Sequence, residues 1–344
     1  MTKMTAYQLR GWQQPAEFVE VPIPEPGPGE VQLKMAGVGL CRSDFIFLDS
    51  PAGLLPYDLP FTLGHENTGW VHELGPGASG LRLGDAVAVA GVHSCGRCRF
   101  CLRGADNYCV NGWKGRGYGE DGGLAEFLVV PGRELVPLGS LDPRQVAPLT
   151  DAGTTSYHAV RKVAPKLDPG STALVVGIGG LGAYAVQWLR LLTAARIVAI
   201  DVSESRLMLA RDLGAAETLL SSETTSTDLD RLLGTDRAAG VFDFVGTDET
   251  VRLALGAAAT LGAVAIVGAG GGTAAVKWLG VPYECDVFIP QGGTIADLHD
   301  VVALAETGVV RIDIEQFAFR DAPEAYERFR SGDLRSRAVV LPHG

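Results

Sequence analysis

The sequence is poor in positive charge. Lysine and arginine together number 29 against 40 aspartates and glutamates, which gives a formal net charge of −11 at pH 7. Proteins that bind nucleic acid or an anionic membrane surface ordinarily carry clustered Lys and Arg, so we expect neither kind of partner. The composition leaves small molecules as the expected ligands, including anionic ones where local basic groups receive them.

The sequence also lacks the long apolar runs of targeting and membrane segments. Residues 1–7 have no apolar core of the kind found in a signal peptide, which predicts a cytoplasmic protein. Two long uncharged stretches, 171–189 and 253–276, approach the length that spans a bilayer. Both contain glycine clusters, where a strand gives way to a helix or a loop, so we expect neither to enter a membrane.

The length and texture of the chain predict two domains. A chain of 344 residues is long for a single hydrophobic core, and its 47% of hydrophobic residues is ordinary for a globular protein. Residues 1–150 form short predicted strands between turns rich in Pro and Gly. From residue 171, apolar strands alternate with helical stretches, a pattern typical of a parallel sheet covered on both faces. We therefore expect an α/β protein with a β-rich domain and a doubly wound domain.

A glycine-rich turn follows the first of these apolar strands. Gly177 permits a tight turn, Gly179 lets a pyrophosphate approach the backbone, and Gly182 allows close packing of helix on strand. Asp201 ends the next predicted strand, where an acid accepts hydrogen bonds from ribose hydroxyls and disfavours a 2′-phosphate. The context predicts NAD rather than NADP, although a βα turn without a ligand has the same glycines. The predicted cofactor-binding residues of this half are Gly177, Ile178, Gly179, Gly180, Leu181, Gly182, Asp201, Arg206, Val245 and Gly268.

Arg206 complicates the choice between the two dinucleotides. It lies one turn into the helix that follows Asp201. A guanidinium near the ribose would attract the 2′-phosphate that Asp201 repels, which would soften the preference for NAD.

Four of the six cysteines lie close together, at positions 95, 98, 101 and 109. Cys95, Cys98, Cys101 and Cys109 have the spacing of thiolates that surround a tetrahedral metal, and cysteines this close are poorly placed for unstrained disulfides with one another. Four protein ligands leave no open coordination position, so the spacing indicates a structural zinc. An iron–sulfur cluster is the rival metal centre for the same ligands.

A second set of metal-ligating residue types lies between Cys41 and Glu66. The stretch begins with Cys41, Ser43 and Asp44 and ends with His65 and Glu66. One thiol and one imidazole are equally compatible with a buried cysteine and a core histidine. Asp151 adds a carboxylate that could complete a three-ligand catalytic zinc site, but an aspartate before a helical run is also a common N-cap.

Taken together, these motifs resemble the zinc-containing medium-chain alcohol dehydrogenases, in particular the bacterial NAD-dependent branch that acts on secondary alcohols. The resemblance covers nearly the whole chain. It implies a GroES-like catalytic domain over residues 1–152 with a structural-zinc lobe at 93–112. A Rossmann NAD-binding domain would follow over 153–293, and residues 294–344 would return to the catalytic domain. The motifs that carry the resemblance are residues 26–30, 41–44, 64–66, the four cysteines, 148–153 and 177–182.

The resemblance assigns roles to individual residues of the first site. It implies that Cys41, His65 and Asp151 ligate a catalytic zinc, that Glu66 lies behind the metal and can ligate it in a resting state, and that Asp44 orients His65. Two zinc ions per subunit are therefore expected. Arg42 occupies a position that is often histidine in bacterial members and is expected near the cofactor pyrophosphate.

The proton path is expected to differ from that of several relatives. Ile46 stands where those relatives have a histidine that passes the proton to solvent. The implied relay here is Ser43, followed by the nicotinamide ribose hydroxyls and water.

The implied activity is hydride transfer between NAD(H) and an alcohol or its ketone or aldehyde. An apolar pocket would suit medium-sized or aryl secondary alcohols, although residues of this kind are as typical of ordinary core. Two other interpretations compete with this one: a zinc-independent enoyl or quinone reductase on the same scaffold, and a non-enzymatic NAD-binding or zinc-stabilised interaction protein. The pocket candidates are Phe45, Leu54, Leu55, Trp113, Trp278 and Leu279.

A homodimer or homotetramer is also expected. Relatives assemble in this way, and the apolar segment 287–289 at the edge of the predicted sheet could pair across a two-fold axis.

Overall fold

The computed structural model describes residues 2–112, 114–221, 225–275, 277–278 and 280–343. The chain divides into two compact units: the first comprises Met1–Thr154 and Gly292–Gly344, and the second comprises Thr155–Gln291. Within the described ranges, none of the helices combines the length and the apolar character needed to cross a membrane.

The strands and helices follow one another in an order that differs between the two units. The strands are β1 (Lys3–Leu9), β2 (Glu17–Pro22), β3 (Glu30–Gly39), β4 (Phe61–Thr62), β5 (Glu66–Leu74), β6 (Ala86–Val89), β7 (Gly115–Arg116), β8 (Gly119–Glu120), β9 (Phe127–Pro131), β10 (Leu135–Pro137), β11 (Thr172–Val176), β12 (Arg196–Asp201), β13 (Glu217–Leu220), β14 (Ala238–Asp243), β15 (Ala258–Ile266), β16 (Asp286–Phe288), β17 (Ile314–Ala318) and β18 (Arg337–Leu341). The α-helices are α1 (Asp44–Asp49), α2 (Pro143–Val146), α3 (Ala152–Val163), α4 (Gly180–Leu192), α5 (Glu204–Leu213), α6 (Thr225–Leu233), α7 (Asp248–Ala257), α8 (Ile295–Glu306) and α9 (Ala322–Ser331). Short 3-10 helices span Cys101–Arg103, Asp106–Tyr108, Gly132–Glu134, Ala147–Thr150, Ala164–Lys166 and Phe319–Asp321.

The first unit is built around a largely antiparallel sheet. Its strands run in the order β10, β6, β5, β3, β18, β17, and β9 also pairs with β3. A second sheet has the order β2, β1, β4. Side chains from both sheets and from α9 share one buried core, which includes Leu33, Phe61 and Tyr326. The last strand, β18, pairs with β3, so the C-terminal segment is an integral part of this unit.

The second unit is a parallel six-stranded sheet. Its order is β13, β12, β11, β14, β15, β16, and every neighbouring pair is parallel. In order of appearance this is 3-2-1-4-5-6, the strand order of the Rossmann fold. All five residues of β11 are buried, as expected of a central strand with both faces covered. The predicted doubly wound domain is confirmed.

The helical segment that joins the two units is interrupted. The helix α2 ends at Val146, a 3-10 helix covers Ala147–Thr150, and α3 begins at Ala152. Pro148 lies within this interruption and cannot donate a helical hydrogen bond. Asp151 has φ −127° and ψ −68°, outside the helical region, so it lies at the break between the 3-10 helix and α3.

Candidate functional site

Four side chains that could bind a metal converge in the first unit. Cys41 follows β3, His65 immediately precedes β5, Glu66 begins β5, and Asp151 lies at the break before α3. One ligand atom from each of the four lies within 4.8 Å of those of the other three. The Oδ2 atom of Asp151 is 3.5 Å from the Sγ of Cys41 and 3.6 Å from the Nε2 of His65.

The chemistry of these donors fits a zinc ion. One thiol, one imidazole and carboxylates form a ligand set of the kind that zinc takes in catalytic sites. Burial lowers the pKa of His65, but Asp44, Asp151 and Cys41 together raise it well above its ordinary value. The surroundings of the imidazole therefore favour a positive charge at this place, which a bound cation supplies.

The His65 ring is held from behind by Asp44, the first residue of α1. Its Nδ1 atom lies 2.9 Å from the Oδ1 of Asp44, and this carboxylate is completely buried. The arrangement leaves Nε2 directed toward Asp151, with the Ser43 hydroxyl 3.3 Å away. Asp44 Oδ2 accepts hydrogen bonds from the Cys41 backbone N–H and from the Tyr326 hydroxyl, both at 3.1 Å.

Glu66 makes an ion pair that the sequence did not indicate. Its Oε1 atom contacts a guanidinium nitrogen of Arg337, the first residue of β18. Oε2 is buried and has no hydrogen-bond partner among the described residues. Burial raises the pKa of Glu66 to about 7, although Arg337 opposes the shift. An unpartnered buried carboxylate oxygen is costly, and a nearby cation would compensate it.

Tyr118 packs against the site and was also missed from the sequence. Its ring lies edge-on to the His65 ring, with centroids 5.9 Å apart and planes at 80°. The Tyr118 hydroxyl donates to the Gly91 carbonyl at 3.0 Å, and its ring stacks on Phe47. Tyr118 and Asp44 therefore restrict the imidazole from different directions. A lone tyrosine outside any motif gave no signal in the sequence.

The four cysteines of the lobe form a second potential metal centre. Their Sγ atoms lie within 4.8 Å of one another, and all four thiols are free of disulfides. The Cys98 and Cys101 sulfurs are 3.5 Å apart. The backbone N–H of Arg97 lowers the pKa of Cys95 to about 6, whereas burial raises the pKa of Cys101 to about 12. Backbone N–H groups directed at sulfur favour the thiolate that a metal requires.

A buried ion pair supports this lobe. The Glu134 side chain is fully buried, accepts a hydrogen bond from the Ser94 backbone N–H at 2.8 Å and lies 3.2 Å from a guanidinium nitrogen of Arg116. Arg133 donates to the Ser94 carbonyl oxygen. These contacts fix the chain just before Cys95.

The glycine turn lies between β11 and α4 in the second unit. Gly177 has φ +85°, and a Cβ at Gly182 would lie 1.9 Å from the Gly177 carbonyl oxygen, so neither position tolerates a side chain. Gly179 is the N-cap residue of α4 and Gly180 its first residue, with Leu181 following. The first-turn N–H groups of a helix that begins this way form a favourable site for phosphate.

Asp201 organises the turn from the neighbouring strand. Its Oδ2 accepts the Ile178 backbone N–H at 2.7 Å and its Oδ1 accepts the Ser203 backbone N–H at 2.9 Å. Arg206 approaches from α5, and a Cβ at Gly179 would lie 3.3 Å from one of its guanidinium nitrogens. Both residues that bear on the choice of dinucleotide therefore lie at the turn.

Val245 lies just after β14, and Gly268 lies just after β15 of the same sheet. A Cβ at Gly177 would meet the Val245 side chain at 2.6 Å, and a Cβ at Gly268 would lie 2.3 Å from the Val245 carbonyl carbon. Asp243 holds this loop by accepting the Val245 and Gly246 backbone N–H groups. The predicted cofactor residues of this unit thus form one contiguous group, whereas Arg42, an exposed residue, belongs to the first unit.

Phe45, Leu54 and Leu55, three of the predicted pocket residues, lie in the first unit. Phe45 and Leu55 are both partly buried against the core of that unit, and the Phe45 ring centroid lies 5.4 Å from that of Phe329. Leu54 is 66% exposed, and Trp278, in the second unit, is 84% exposed. Trp113 and Leu279 lie outside the described residues.

Comparison with known protein families identifies both units. Residues 27–140 match the family described as the alcohol dehydrogenase GroES-like domain, and residues 180–295 match the zinc-binding dehydrogenase family. The predicted combination of a GroES-like and a Rossmann domain is confirmed.

Individual relatives match over nearly the whole chain. A D-arabinose 1-dehydrogenase (NADP⁺) of Saccharolobus solfataricus is 33% identical, with 99% of each chain covered. An NAD-dependent alcohol dehydrogenase of Sulfurisphaera tokodaii is 31% identical over 98% of this chain and 100% of that protein.

Solved structures agree with this assignment. The alcohol dehydrogenase of Aeropyrum pernix superposes with a TM-score of 0.91 at 32% identity, covering 98% of this chain and 100% of that one. Acetophenone reductase from Geotrichum candidum, solved with NAD, gives a TM-score of 0.86 at 30% identity, with 98% and 97% covered. Both structures cover 98% of this chain, so the matches run through both units. The chain belongs to the zinc-containing medium-chain alcohol dehydrogenase family.

Proposed function

We propose that the protein transfers hydride between NAD(H) and an alcohol or its carbonyl partner at a zinc ion held by Cys41, His65 and Asp151. The observation that carries this proposal is the convergence of these three side chains, with Glu66, within 4.8 Å of one another. The family assignment itself identifies the protein as an oxidoreductase of the zinc alcohol dehydrogenase type. The named ligands and the substrate class go beyond that assignment.

The donor set leaves a place for substrate. A catalytic zinc takes three protein ligands and keeps an open position, where it acts as a Lewis acid toward an alcohol or carbonyl oxygen. Glu66 is held by Arg337 and would serve as an occasional fourth ligand. The four cysteines of the lobe would hold a second, structural zinc, because four thiolates leave no open position.

Ser43 is the proposed proton acceptor. Its hydroxyl lies 3.3 Å from the Nε2 of His65, so it lies within reach of the proposed reaction centre. Ile46 carries no titratable group, and 41% of it is exposed. We therefore propose that the proton leaves Ser43 through the nicotinamide ribose hydroxyls and water. Asp44 and Tyr118 keep the imidazole in one orientation while the proton moves.

NAD(H) is the proposed dinucleotide. The Asp201 carboxylate at the glycine turn disfavours a 2′-phosphate, and the alcohol dehydrogenase of Sulfurisphaera tokodaii is named NAD-dependent. Arg206 beside Gly179 and the NADP⁺-named relative point to measurable activity with NADP⁺ as well. Arg42 is the proposed partner of the cofactor pyrophosphate.

The proposed substrates are medium-sized apolar or aryl secondary alcohols and their ketones. The similarity to acetophenone reductase supports this class, and the similarity to D-arabinose 1-dehydrogenase makes sugars the competing class. Phe45, Leu54, Leu55, Trp113, Trp278 and Leu279 stay proposals for the pocket.

Assembly and location are proposed on separate grounds. We propose a homodimer or homotetramer because β16 forms one edge of the parallel sheet, and Ile289 beyond it is 77% exposed. We place the protein in the cytoplasm because none of its six cysteines forms a disulfide, and four of them belong to the proposed structural-zinc site.

The proposed function is tested with a substrate panel. The purified protein would be assayed with NAD⁺ or NADH on 1-phenylethanol, acetophenone, D-arabinose, an enone and a quinone. We expect turnover of the aryl alcohol and ketone, loss of that turnover in Cys41→Ser, and retention in the control Cys285→Ser. Reduction of the enone or quinone by Cys41→Ser at the native rate would identify a zinc-independent reductase instead.

A further inference from the structure

The C-terminal helix α9 packs against α1, the short helix that begins at Asp44. The Phe329 and Phe45 rings have centroids 5.4 Å apart. The Arg330 guanidinium lies 4.4 Å from the Phe45 ring centroid and pairs with both carboxylate oxygens of Asp49 at 2.9 Å. Tyr326 lies on the same face of α9, since residues three and four positions apart are neighbours on a helix. These contacts hold the two helices together.

A buried hydrogen bond between Tyr326 and Asp44 connects α9 to the proposed metal centre. The Tyr326 hydroxyl donates to Asp44 Oδ2 at 3.1 Å across 282 positions of sequence. Tyr326 is 6% exposed and Asp44 is 0% exposed. The same carboxylate oxygen accepts the Cys41 backbone N–H, and the other oxygen faces His65 Nδ1 at 2.9 Å. Tyr326 therefore supplies one of the few polar partners available to a completely buried carboxylate.

We propose that Tyr326 is a positioning residue that acts through Asp44 to fix the orientation of His65. This inference rests on the metal centre proposed above. A carboxylate behind a metal-bound histidine fixes the ring, and loss of such a partner ordinarily costs ten- to a hundredfold in metal affinity or activity. Hydrogen bonds to a buried ionised group are among the strongest of their kind. Without the Tyr326 hydroxyl, the Asp44 carboxylate keeps fewer contacts that define its rotation.

The test is Tyr326→Phe, which removes the hydroxyl and keeps the ring in the core. Zinc release to a chromogenic chelator would be followed on the zinc-loaded enzyme, and the visible spectrum would be recorded after cobalt replaces zinc. We expect about tenfold faster release of one of the two zinc ions and a shifted cobalt spectrum. The zinc of the four-cysteine lobe should leave at the native rate, which also shows that the variant is folded.

Tyr7→Phe is the matched control. Tyr7 belongs to the same core cluster, is buried to the same degree, and stacks on Tyr326 with centroids 6.2 Å apart. The variant removes a buried hydroxyl nearby without removing the hydrogen bond to Asp44. We expect native zinc release and a native cobalt spectrum. An effect equal to that of Tyr326→Phe would overturn the proposal, because it would show a general response to changes in the core.

A double variant tests the route through Asp44. In an Asp44→Asn background, Tyr326→Phe should change zinc release by less than twofold, since the group it acts on is already altered. A full additive effect, or native release in the single Tyr326→Phe variant, would overturn the inference. Failure of the underlying proposal gives a different result: Cys41→Ser would then keep both zinc ions, and the Tyr326 experiment would have no site to report on.

Discussion

Asp44 and His65 lie 2.9 Å apart, from carboxylate Oδ1 to imidazole Nδ1, in a region where Asp44 has no solvent exposure. This contact fixes which ring nitrogen points into the proposed metal centre. It also links α1 to the start of β5, so the local chain geometry and the metal geometry depend on each other.

The first prediction concerns this pair. Asp44→Asn should weaken zinc binding at the first centre about ten- to a hundredfold, because the amide orients the ring without the negative charge that strengthens the ligand. Isothermal titration of the apoprotein with zinc would measure the change. Asp212→Asn, which changes an exposed carboxylate on α5 of the second unit, is the control and should bind zinc normally. Equal zinc affinities for the two variants would show that Asp44 does not contribute to zinc binding.

A second prediction concerns the buried pair of Glu66 and Arg337. Arg337→Met should reduce the free energy of unfolding by about 3 kcal/mol, because it leaves a buried carboxylate without its cation. Denaturant unfolding at a fixed zinc concentration would measure it. Arg335→Met changes an exposed arginine two positions earlier and should have little effect. A native midpoint for Arg337→Met would show that Glu66 is compensated by another group.

The choice of dinucleotide gives a third prediction. Asp201→Ala should lower the ratio of kcat/KM with NAD⁺ to kcat/KM with NADP⁺ by about tenfold or more, since the repulsion of the 2′-phosphate is removed. Asp201 also accepts the Ile178 and Ser203 backbone N–H groups, so its replacement alters the turn for both cofactors. The ratio of the two kcat/KM values corrects for this common effect. Arg206→Ala should move the ratio in the opposite direction. An unchanged ratio in both variants would place the ribose elsewhere.

A fourth prediction addresses assembly. Phe288→Asp, on edge strand β16, should dissociate the oligomer, because it introduces charge along an edge proposed to pair across a two-fold axis. Sedimentation velocity would follow the mass. Met208→Asp alters another exposed apolar residue of the same unit, on α5, and should leave the mass unchanged. A native sedimentation profile for Phe288→Asp would exclude this edge as the interface.

The sequence carried most of the information about the two metal centres and the glycine turn. The spacing of the four cysteines is local, so a lobe that brings their sulfurs together could be predicted directly. Cys41, His65 and Asp151 are far apart in sequence, and residue types alone left Asp151 open as an N-cap. Only the family resemblance selected these three together, and the structure places their ligand atoms close to one another.

The supporting contacts could not be predicted in the same way. Glu66 and Arg337 are 271 positions apart, and Asp44 and Tyr326 are 282 apart. Neither Arg337 nor Tyr326 belongs to a spacing motif. Arg337 reaches the site because β18 pairs with β3, and Tyr326 reaches it because α9 packs against α1. The pocket is hard to predict for a related reason. Apolar side chains such as Phe45 are equally suited to a pocket and to a core, and the Phe45 ring is partly buried against the core.

The most direct test of the central claim is the zinc content per subunit of the native protein, of Cys41→Ser and of Cys98→Ser, each measured beside NAD-linked oxidation of 1-phenylethanol. We expect two zinc ions in the native protein and one in each variant. Turnover should be lost in Cys41→Ser, whereas Cys98→Ser should retain turnover but unfold at a lower temperature. A single zinc ion in the native protein, with full turnover in Cys41→Ser, would contradict a catalytic metal centre at Cys41, His65 and Asp151.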